Sequence, residues 1–459
     1  AATSVKRSCW SASFGKLGLS CKARQIGTAP RFWMAFANIG HGGLGAIMFL
    51  WLSSCIYISE GLATLRGEHR GTGSSAATAS SEGSIRSMTY QSYLEKFGLA
   101  GTRSSESTST LAQRMEIFEA TRAAVLAQNT REEKRWFAGF NHFADNLPEE
   151  RLALMGYRRT SAAASPHQGV GADMLLSLKS HHTEESMKTS VDWRAHLNSS
   201  RFVRNQGSCG SCWAFAAVGA LECHMELSQQ KLVQISPLEL VNCMPNPHHC
   251  GGTGGCEGAT AELAFDFAKE RGLELVGKHD ASSNASDHCN AIQGNRVMVD
   301  GFVQLPTNNA EALLYAVATQ GPVVVSVDAS GWFSYRSGIY DGCSRDAIVN
   351  HAVLLIGYGE NETEAHGGDS LSAGVKDLYW LIRNSWGRHW GEHGHMRLLR
   401  SEEGNDYCGI DRDPQAGAGC AGGPSAVKVC GMCGILSDSS YPLGVRLQQS
   451  GPVNEQEEA

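Results

Sequence analysis

The strongest chemical signal in the chain is the segment NQGSCGSCWAFAAVGALECHMEL, from Asn205 to Leu227. Gly207 and Gly210 permit a tight turn, Ser211 is a candidate helix N-cap, and Phe215, Val218, Leu221 and Met225 with the intervening alanines read as one helix. Cys212 therefore falls in the first helical turn, where unpaired amides and the helix dipole favour an anion. A thiol placed there is biased towards thiolate, the nucleophilic form. The alternative is a buried structural cysteine; the flanking Trp213 and the glycine-rich turn argue against it.

A thiolate needs a basic partner, and the chain has 17 histidines. His181, His182, His248 and His249 lie in polar loops, and His389, His393 and His395 crowd a glycine-rich turn. His351 differs, because it precedes AVLLIGYG, a continuous apolar run of the buried-strand type. The next strand-like run, YWLIRNSWG, contains Asn384. Antiparallel pairing of the two runs would let the Asn384 side-chain oxygen accept the imidazole N–H and fix the ring. Cysteine, histidine and an orienting amide make a nucleophilic triad.

These residues need a scaffold, and the 459-residue length points to more than one folded unit or to one unit with processed segments. With 42% hydrophobic and 19% charged residues the chain can build a core, and a net charge of −7 gives no footprint for nucleic acid. Fifteen cysteines, twelve of them after residue 200, suggest an oxidising compartment and the secretory route. Residues 1–34 carry six basic residues and no acid, and an apolar run of fifteen residues, Leu44 to Ile58, follows. That length fits a cleaved signal better than a membrane span of about 20 residues, with Met34 as the true start; a signal anchor, and hence a membrane partner, is the alternative. GTGSSAATASSEGS (Gly71 to Ser84) and the polar run ending at Ser186 read as linkers. Between them, Leu111 to Ala127 is an amphipathic helix with Leu111, Met115, Phe118, Ala124 and Val125 as its stripe, and GFNHFAD (Gly139 to Asp145) alternates as a short strand does. VMVDGFVQL and GPVVVSVDA add further strands to the main core over residues 190–443.

CGSCW at Cys209 to Trp213, with His351 139 and Asn384 172 residues beyond Cys212, resembles the papain and cathepsin signature. From about residue 88 to Pro442 the chain is similar to a cathepsin L-like papain-family cysteine protease with an inhibitory propeptide. The segment ENETEAHGGDSLSAGVKD, Glu360 to Asp377, accounts for the long His–Asn spacing. The resemblance implies an α+β fold with a helical left domain, a β-barrel-like right domain and a cleft between them, preceded by a helical propeptide. It divides the chain into a leader and signal (1–62), a linker (63–87), the propeptide (88–157), a processing linker (158–188), the peptidase (189–443) and a polar tail (444–459).

By the same resemblance Cys212 is the nucleophile, His351 its ion-pair partner, Asn384 the orienting amide and Gln206 an oxyanion donor. Trp386 shields the His–Asn bond and counts with Gly258 and Ala259 among the substrate-binding residues. Thr260, Ala261, Ser326 and Ala352 line a second pocket of small residues without charge, suited to bulky apolar side chains such as Leu or Phe. Disulfides map to Cys209–Cys256, Cys243–Cys289 and Cys343 with either Cys408 or Cys433, and residues 411–432 form an insertion closed by Cys420 and Cys430. With Cys223 and Cys250 also unassigned, at least one cysteine stays free or pairs outside the chain. Arg114, Phe118, Val125 and Asn129 match the propeptide helix signature, and Gly139, Asn141, Phe143 and Asp145 match its second motif. Thr110 and Thr121 stand where the family has Glu and Asn, so an ion-pair partner is expected to be missing.

The expected activity is that of an endopeptidase acting on proteins and peptides through a thioester, without cofactor or metal, held latent by its own propeptide until cleavage near Ser190. Two other readings are a catalytically inactive papain-fold binding protein, and a metal or redox module built from His248, His249, Cys250 and Cys256 or from Cys430 and Cys433. Asn198, Asn284 and Asn361 begin glycosylation triplets, in keeping with a secretory, lysosome-like, vacuolar or extracellular protein.

Overall fold

The aliphatic runs that flank His351 and Asn384 are neighbouring strands of one sheet. They belong to a computed structural model that describes residues 21–23, 35–37, 83–156, 188–276, 289, 294–362, 376–401 and 406–449. Met34, the apolar run at 44–58, most of the two linkers, the Asn284 triplet and residues 363–375 lie outside the described residues. The chain forms two units, Ala1–Ala76 and Ala77–Ala459. In the first, β1 (Cys21–Ala23) pairs antiparallel with β2 (Ala35–Ala37). No helix among the described residues is long and apolar enough to cross a membrane.

The second unit holds everything else. Helices α1 (Tyr90–Lys96), α2 (Ala100–Arg103) and α3 (Thr108–Asn129), strand β3 (Trp136–Ala138) and helix α4 (Pro148–Leu154) come first. Then follow β4 (Val191–Asp192), α5 (Cys212–Gln229), α6 (Pro237–Cys243), α7 (Ala261–Glu270), β5 (Leu273–Glu274), β6 (Arg296–Met298), β7 (Gly301–Gln304) and α8 (Ala310–Thr319). The remainder is β8 (Val323–Val327), β9 (Tyr335–Tyr340), β10 (His351–Glu362), β11 (Lys376–Arg383), β12 (His395–Arg400), β13 (Cys408–Asp411), β14 (Val427–Cys430), β15 (Ser439–Leu443) and β16 (Arg446–Gln448).

The main sheet runs β3-β9-β12-β11-β10-β8-β15-β7, with β4 also on β10. This is an open path and not a closed barrel. One core fills the space on the sheet around Trp332, Trp380, Trp386 and Trp390. A second surrounds α5, with Trp213, Leu221, Met225, Leu240 and Phe265. All five residues of β8 are buried, which is why its sequence is a continuous aliphatic run and not an alternation.

The N-terminal helices have their own core of Tyr93, Leu94, Phe118 and Ala144. The buried face of α3 is Arg114, Phe118, Val125 and Asn129, whereas Met115 is 50% exposed. The expected apolar stripe was therefore only partly right, because two buried positions are polar and satisfied by partners. Arg114 pairs with Glu106 at 2.6 Å and Glu150 at 2.7 Å, so Glu106 supplies the carboxylate that Thr110 lacks. Asp145, fully buried, accepts from the Tyr90 and Tyr93 hydroxyls and the Arg103 guanidinium at 2.9 to 3.1 Å. GFNHFAD forms a turn after β3 and not a strand: Asn141 Oδ1 accepts from Phe143 N at 2.9 Å while its Nδ2 donates to Phe333 O at 2.7 Å. Strand β3 itself pairs antiparallel with β9, so the segment of residues 83–156 extends the edge of the main sheet.

Five disulfides are present: Cys209–Cys256, Cys243–Cys289, Cys343–Cys433, Cys408–Cys430 and Cys250–Cys420. The insertion is thus not closed by Cys420 with Cys430. Its hairpin, β13 with β14, is fastened by Cys408–Cys430, and Cys420 ties it to the loop before Cys256. Among the described residues the free cysteines are Cys212 and Cys223, both buried. Cys250, Cys256, Cys430 and Cys433 are all oxidised partners, which removes the thiolates that a metal module would need.

Asp145→Ala leaves Arg103 only Glu106 at 3.2 Å and Glu150 at 3.7 Å and leaves the buried Tyr93 hydroxyl without its acceptor, so it should destabilise the N-terminal helices by about 1–3 kcal/mol. Met115→Ala, at an exposed site on α3, should stay within about 0.5 kcal/mol. Thermal melts of the two variants beside wild type check the contrast.

Candidate active site

Helix α5 begins at Cys212, so the first amides of the helix face the thiol. Ala352 N adds a hydrogen bond to Sγ at 3.3 Å. His351 opens β10, and the register Leu354↔Arg383 on β11 brings the next residue, Asn384, beside it. His351 Nε2 and Asn384 Oδ1 are 2.9 Å apart. That oxygen also accepts from Ser385 N at 2.8 Å, so the proton between the two side chains belongs to His351 Nε2. His351 Nδ1 is buried and has no hydrogen-bond partner among the described residues. The Trp386 ring lies 5.0 Å from the imidazole and stacks on Phe333 at 4.9 Å, sealing the His–Asn bond from water.

Gln206 is fixed from the opposite wall. Its backbone N donates to Ser385 O at 2.9 Å, and Ser385 Oγ donates to Gln206 Oε1 at 2.6 Å. The amide must then turn its Nε2 donor into the cleft. There it meets Leu154 O at 2.9 Å, the carbonyl at the end of α4, as well as Cys209 O at 2.8 Å. Ser385 was not singled out by sequence, since a serine beside an asparagine carries no signal of its own.

The chain that fills the cleft runs through Gly156. A Cβ there would collide with Cys212 Sγ, and a Cβ on Gly258, whose φ is +97°, would collide with Gly156 O and Gly251 O. Only glycine fits at either point. Under this cover burial pushes the Cys212 thiol up to about 11, outweighing the backbone hydrogen bonds from Ala352, Gly156 and Trp213 that lower it. Burial also pushes the His351 imidazole down to about 4, against the opposing Asn384 bond. The bias towards thiolate expected from the helix terminus is therefore overridden here by desolvation, and the pair is neutral.

The expected pocket residues divide. Thr260 lines a cavity of about 410 Å³, and Ser326 bonds through its Oγ to Asp438, which lines the same cavity, at 2.7 Å. Ala259, Ala261 and Ala352 are packed in the core around α5 instead. Glu262, Asp438, Asp411 and Lys428 also line this cavity. Glu262 reads in sequence as an ordinary acid in a first helical turn, and nothing local links it to Asp438.

The family described as papain family cysteine protease matches residues 187–418. Rat (Rattus norvegicus) cathepsin S is 36% identical over 276 residues, covering 59% of this chain and 75% of its own. Cathepsin L of Sarcophaga peregrina is 34% identical over 307 residues, covering 65% and 84%. Among solved structures, digestive procathepsin L 3 of Tenebrio molitor larval midgut aligns with a TM-score of 0.55 at 26% identity, over 78% of this chain and 99% of that one.

His142, in the turn after β3, has both ring nitrogens buried without hydrogen-bond partners among the described residues. Burial, with His389 as a like-charged neighbour, pushes it down to about 4. A released His142 takes up its proton near pH 6.5 and a docked one does not, so docking weakens as pH falls from about 6.5 towards 4. Glu106, held below the usual carboxylate range by its Arg114 hydrogen bond, contributes stability that is lost only below about pH 4.5. His142→Leu keeps the packing but removes the titration, and should move the acid midpoint of cleft opening down by about half a pH unit. Labelling of Cys212 by a thiol-reactive epoxide as a function of pH measures it.

Proposed function

The chain belongs to the papain family of cysteine proteases and carries that family's propeptide, and from this premise we propose that it is an endopeptidase with Cys212 as nucleophile. His351, positioned by Asn384 and shielded by Trp386, takes the thiol proton on Nδ1 once the propeptide has left. The thiolate attacks a peptide carbonyl carbon, and the oxyanion is held by Gln206 Nε2 and Cys212 N–H. The C–N bond breaks as His351 protonates the leaving amine, leaving a thioester on Sγ. Water, deprotonated by His351, then hydrolyses the thioester and restores the thiol.

The observation that carries this reading is the Leu154 carbonyl on Gln206 Nε2 beside Gly156 on Cys212 Sγ. The inhibiting segment engages the very donors that a substrate carbonyl needs while its backbone covers the sulfur. Latency follows from occupancy and from desolvation of the pair together. Endopeptidase activity is supported by the extent of the occupied cleft, where carbonyls of Ala153 and Met155 approach Gly210 and that of Gly156 reaches Gly258. A cleft that holds chain on both flanks of the sulfur accepts substrates away from their ends. Five disulfides among the described residues and the exposed side chains of Asn198 and Asn361, which begin glycosylation triplets, support the secretory route, with a lysosome-like, vacuolar or extracellular destination.

Cys212→Ala should abolish peptide hydrolysis by the acid-processed enzyme, while Gln206→Ala, one oxyanion donor short, should lower kcat about 10²- to 10³-fold. Wild-type turnover in the Cys212 variant would overturn the assignment. Mass spectrometry of the epoxide-labelled chain should place the adduct on Cys212 and the new N-terminus near Ser190.

A further inference from the structure

Asn384 lines a small cavity of about 10 Å³, together with Arg204, Phe215, Leu354, Arg383 and Ser385. That volume has room for one particle about the size of a water molecule. The Asn384 side-chain oxygen is fully used, since it accepts from His351 Nε2 and from Ser385 N. Its Nδ2 carries two N–H donors and is buried with no hydrogen-bond partner among the described residues. A buried donor without an acceptor is costly, so this atom calls for one.

The charges around the cavity do not balance either. Arg204 and Glu222 form a two-pronged salt bridge at 2.8 and 2.6 Å, so their charges cancel. Arg383, at the end of β11 and only 5% exposed, donates through Nη1 to the Ser199 carbonyl at 2.6 Å and forms no salt bridge among the described residues. Its guanidinium is locked in place, because a Cβ on Gly219 of α5 would collide with Nη2. Nearby titratable groups add no negative charge. Burial keeps Cys223 a thiol by pushing it up to about 11, and His395, paired with Arg383 across β11 and β12, is pushed down to about 4 and stays neutral. One positive charge is thus buried without a counter-charge, which a fold tolerates poorly. A single monovalent anion in the cavity would meet both needs, by accepting from Asn384 Nδ2 and by neutralising Arg383.

We propose that this cavity binds a chloride ion and that the ion positions Asn384. Phosphate, sulfate and carboxylates are too large for the volume, whereas a halide is little larger than water. With an anion on Nδ2 the amide cannot flip, so Oδ1 stays on His351. The negative charge beyond Asn384 also favours the imidazolium that the Cys212 thiolate needs as its partner. Arg383 acts through the ion and touches neither substrate nor the reacting atoms, so it is a positioning residue.

Two measurements test this. Crystals of the proform grown in sodium bromide, whose anion scatters anomalously, should show a peak within hydrogen-bond reach of Asn384 Nδ2, and Arg383→Gln should lose it. For processed enzyme, counted by epoxide titration, kcat/KM on one peptide should rise about tenfold and saturably as chloride replaces gluconate, an anion too large for the cavity, at constant ionic strength. In Arg383→Gln that dependence should disappear. If the variant does not fold, the two wild-type measurements still decide. Density that refines as water with no anomalous peak overturns the inference, and a peak without any chloride effect on kcat/KM overturns the positioning role. The crystallographic result needs no catalysis, so absence of Cys212-dependent hydrolysis in either anion would overturn the protease reading and leave the ion site standing.

Discussion

Exclusion of water from Cys212 and His351 is the constraint on which the rest of this structure depends. A thiol and an imidazole stripped of solvent stay neutral, and a neutral pair does not attack a carbonyl. The elements of residues 83–156 serve to keep that cover in place. Strand β3 is hydrogen-bonded to the free edge of β9, Phe143 packs edge-on against Trp386 and Phe333, and α4 delivers Leu154 to Gln206. The buried charge networks around Arg114 and Asp145 act one level further out. They make the helical unit rigid enough to hold Gly156 on the sulfur.

The two walls of the cleft are joined by a short run of backbone. Asn205 bridges to Trp386, Gln206 N donates to Ser385 O, and Gly387 N donates to Arg204 O. This ladder sets the oxyanion donor and the His–Asn pair in one frame, although they come from residues far apart in the chain. It also explains why Ser385 matters. Its hydroxyl decides which way the Gln206 amide faces, and so whether the cleft presents a donor or an acceptor.

The insertion after β13 lines a cavity beside the helical core and takes no part in the Cys212–His351 pair. Cys408–Cys430 closes its hairpin and Cys250–Cys420 holds it against the loop at Cys250, and its residues form much of one wall over Glu262 and Asp438. Without that wall the carboxyls would sit nearer bulk water and interact less strongly with each other.

Much of the site was legible because its elements are local. A helix start with a cysteine in its first turn, and two aliphatic runs ending beside a histidine and an asparagine, follow from residue type and spacing, and the propeptide motifs are contiguous too. The helix stripe was misread where Arg114 and Asn129 are buried by partners that hydropathy does not register, and GFNHFAD was misread because Asn141 competes for the backbone. What only the tertiary structure decided involves groups distant in sequence: the pairing of Cys250 with Cys420, the choice of Cys433 over Cys408 for Cys343, and the meeting of Glu262 with Asp438. The protonation state of the catalytic pair belongs with these. A helix terminus favours the thiolate by a local field, but burial by a segment more than fifty residues upstream reverses it, because desolvation is a property of everything that surrounds a group.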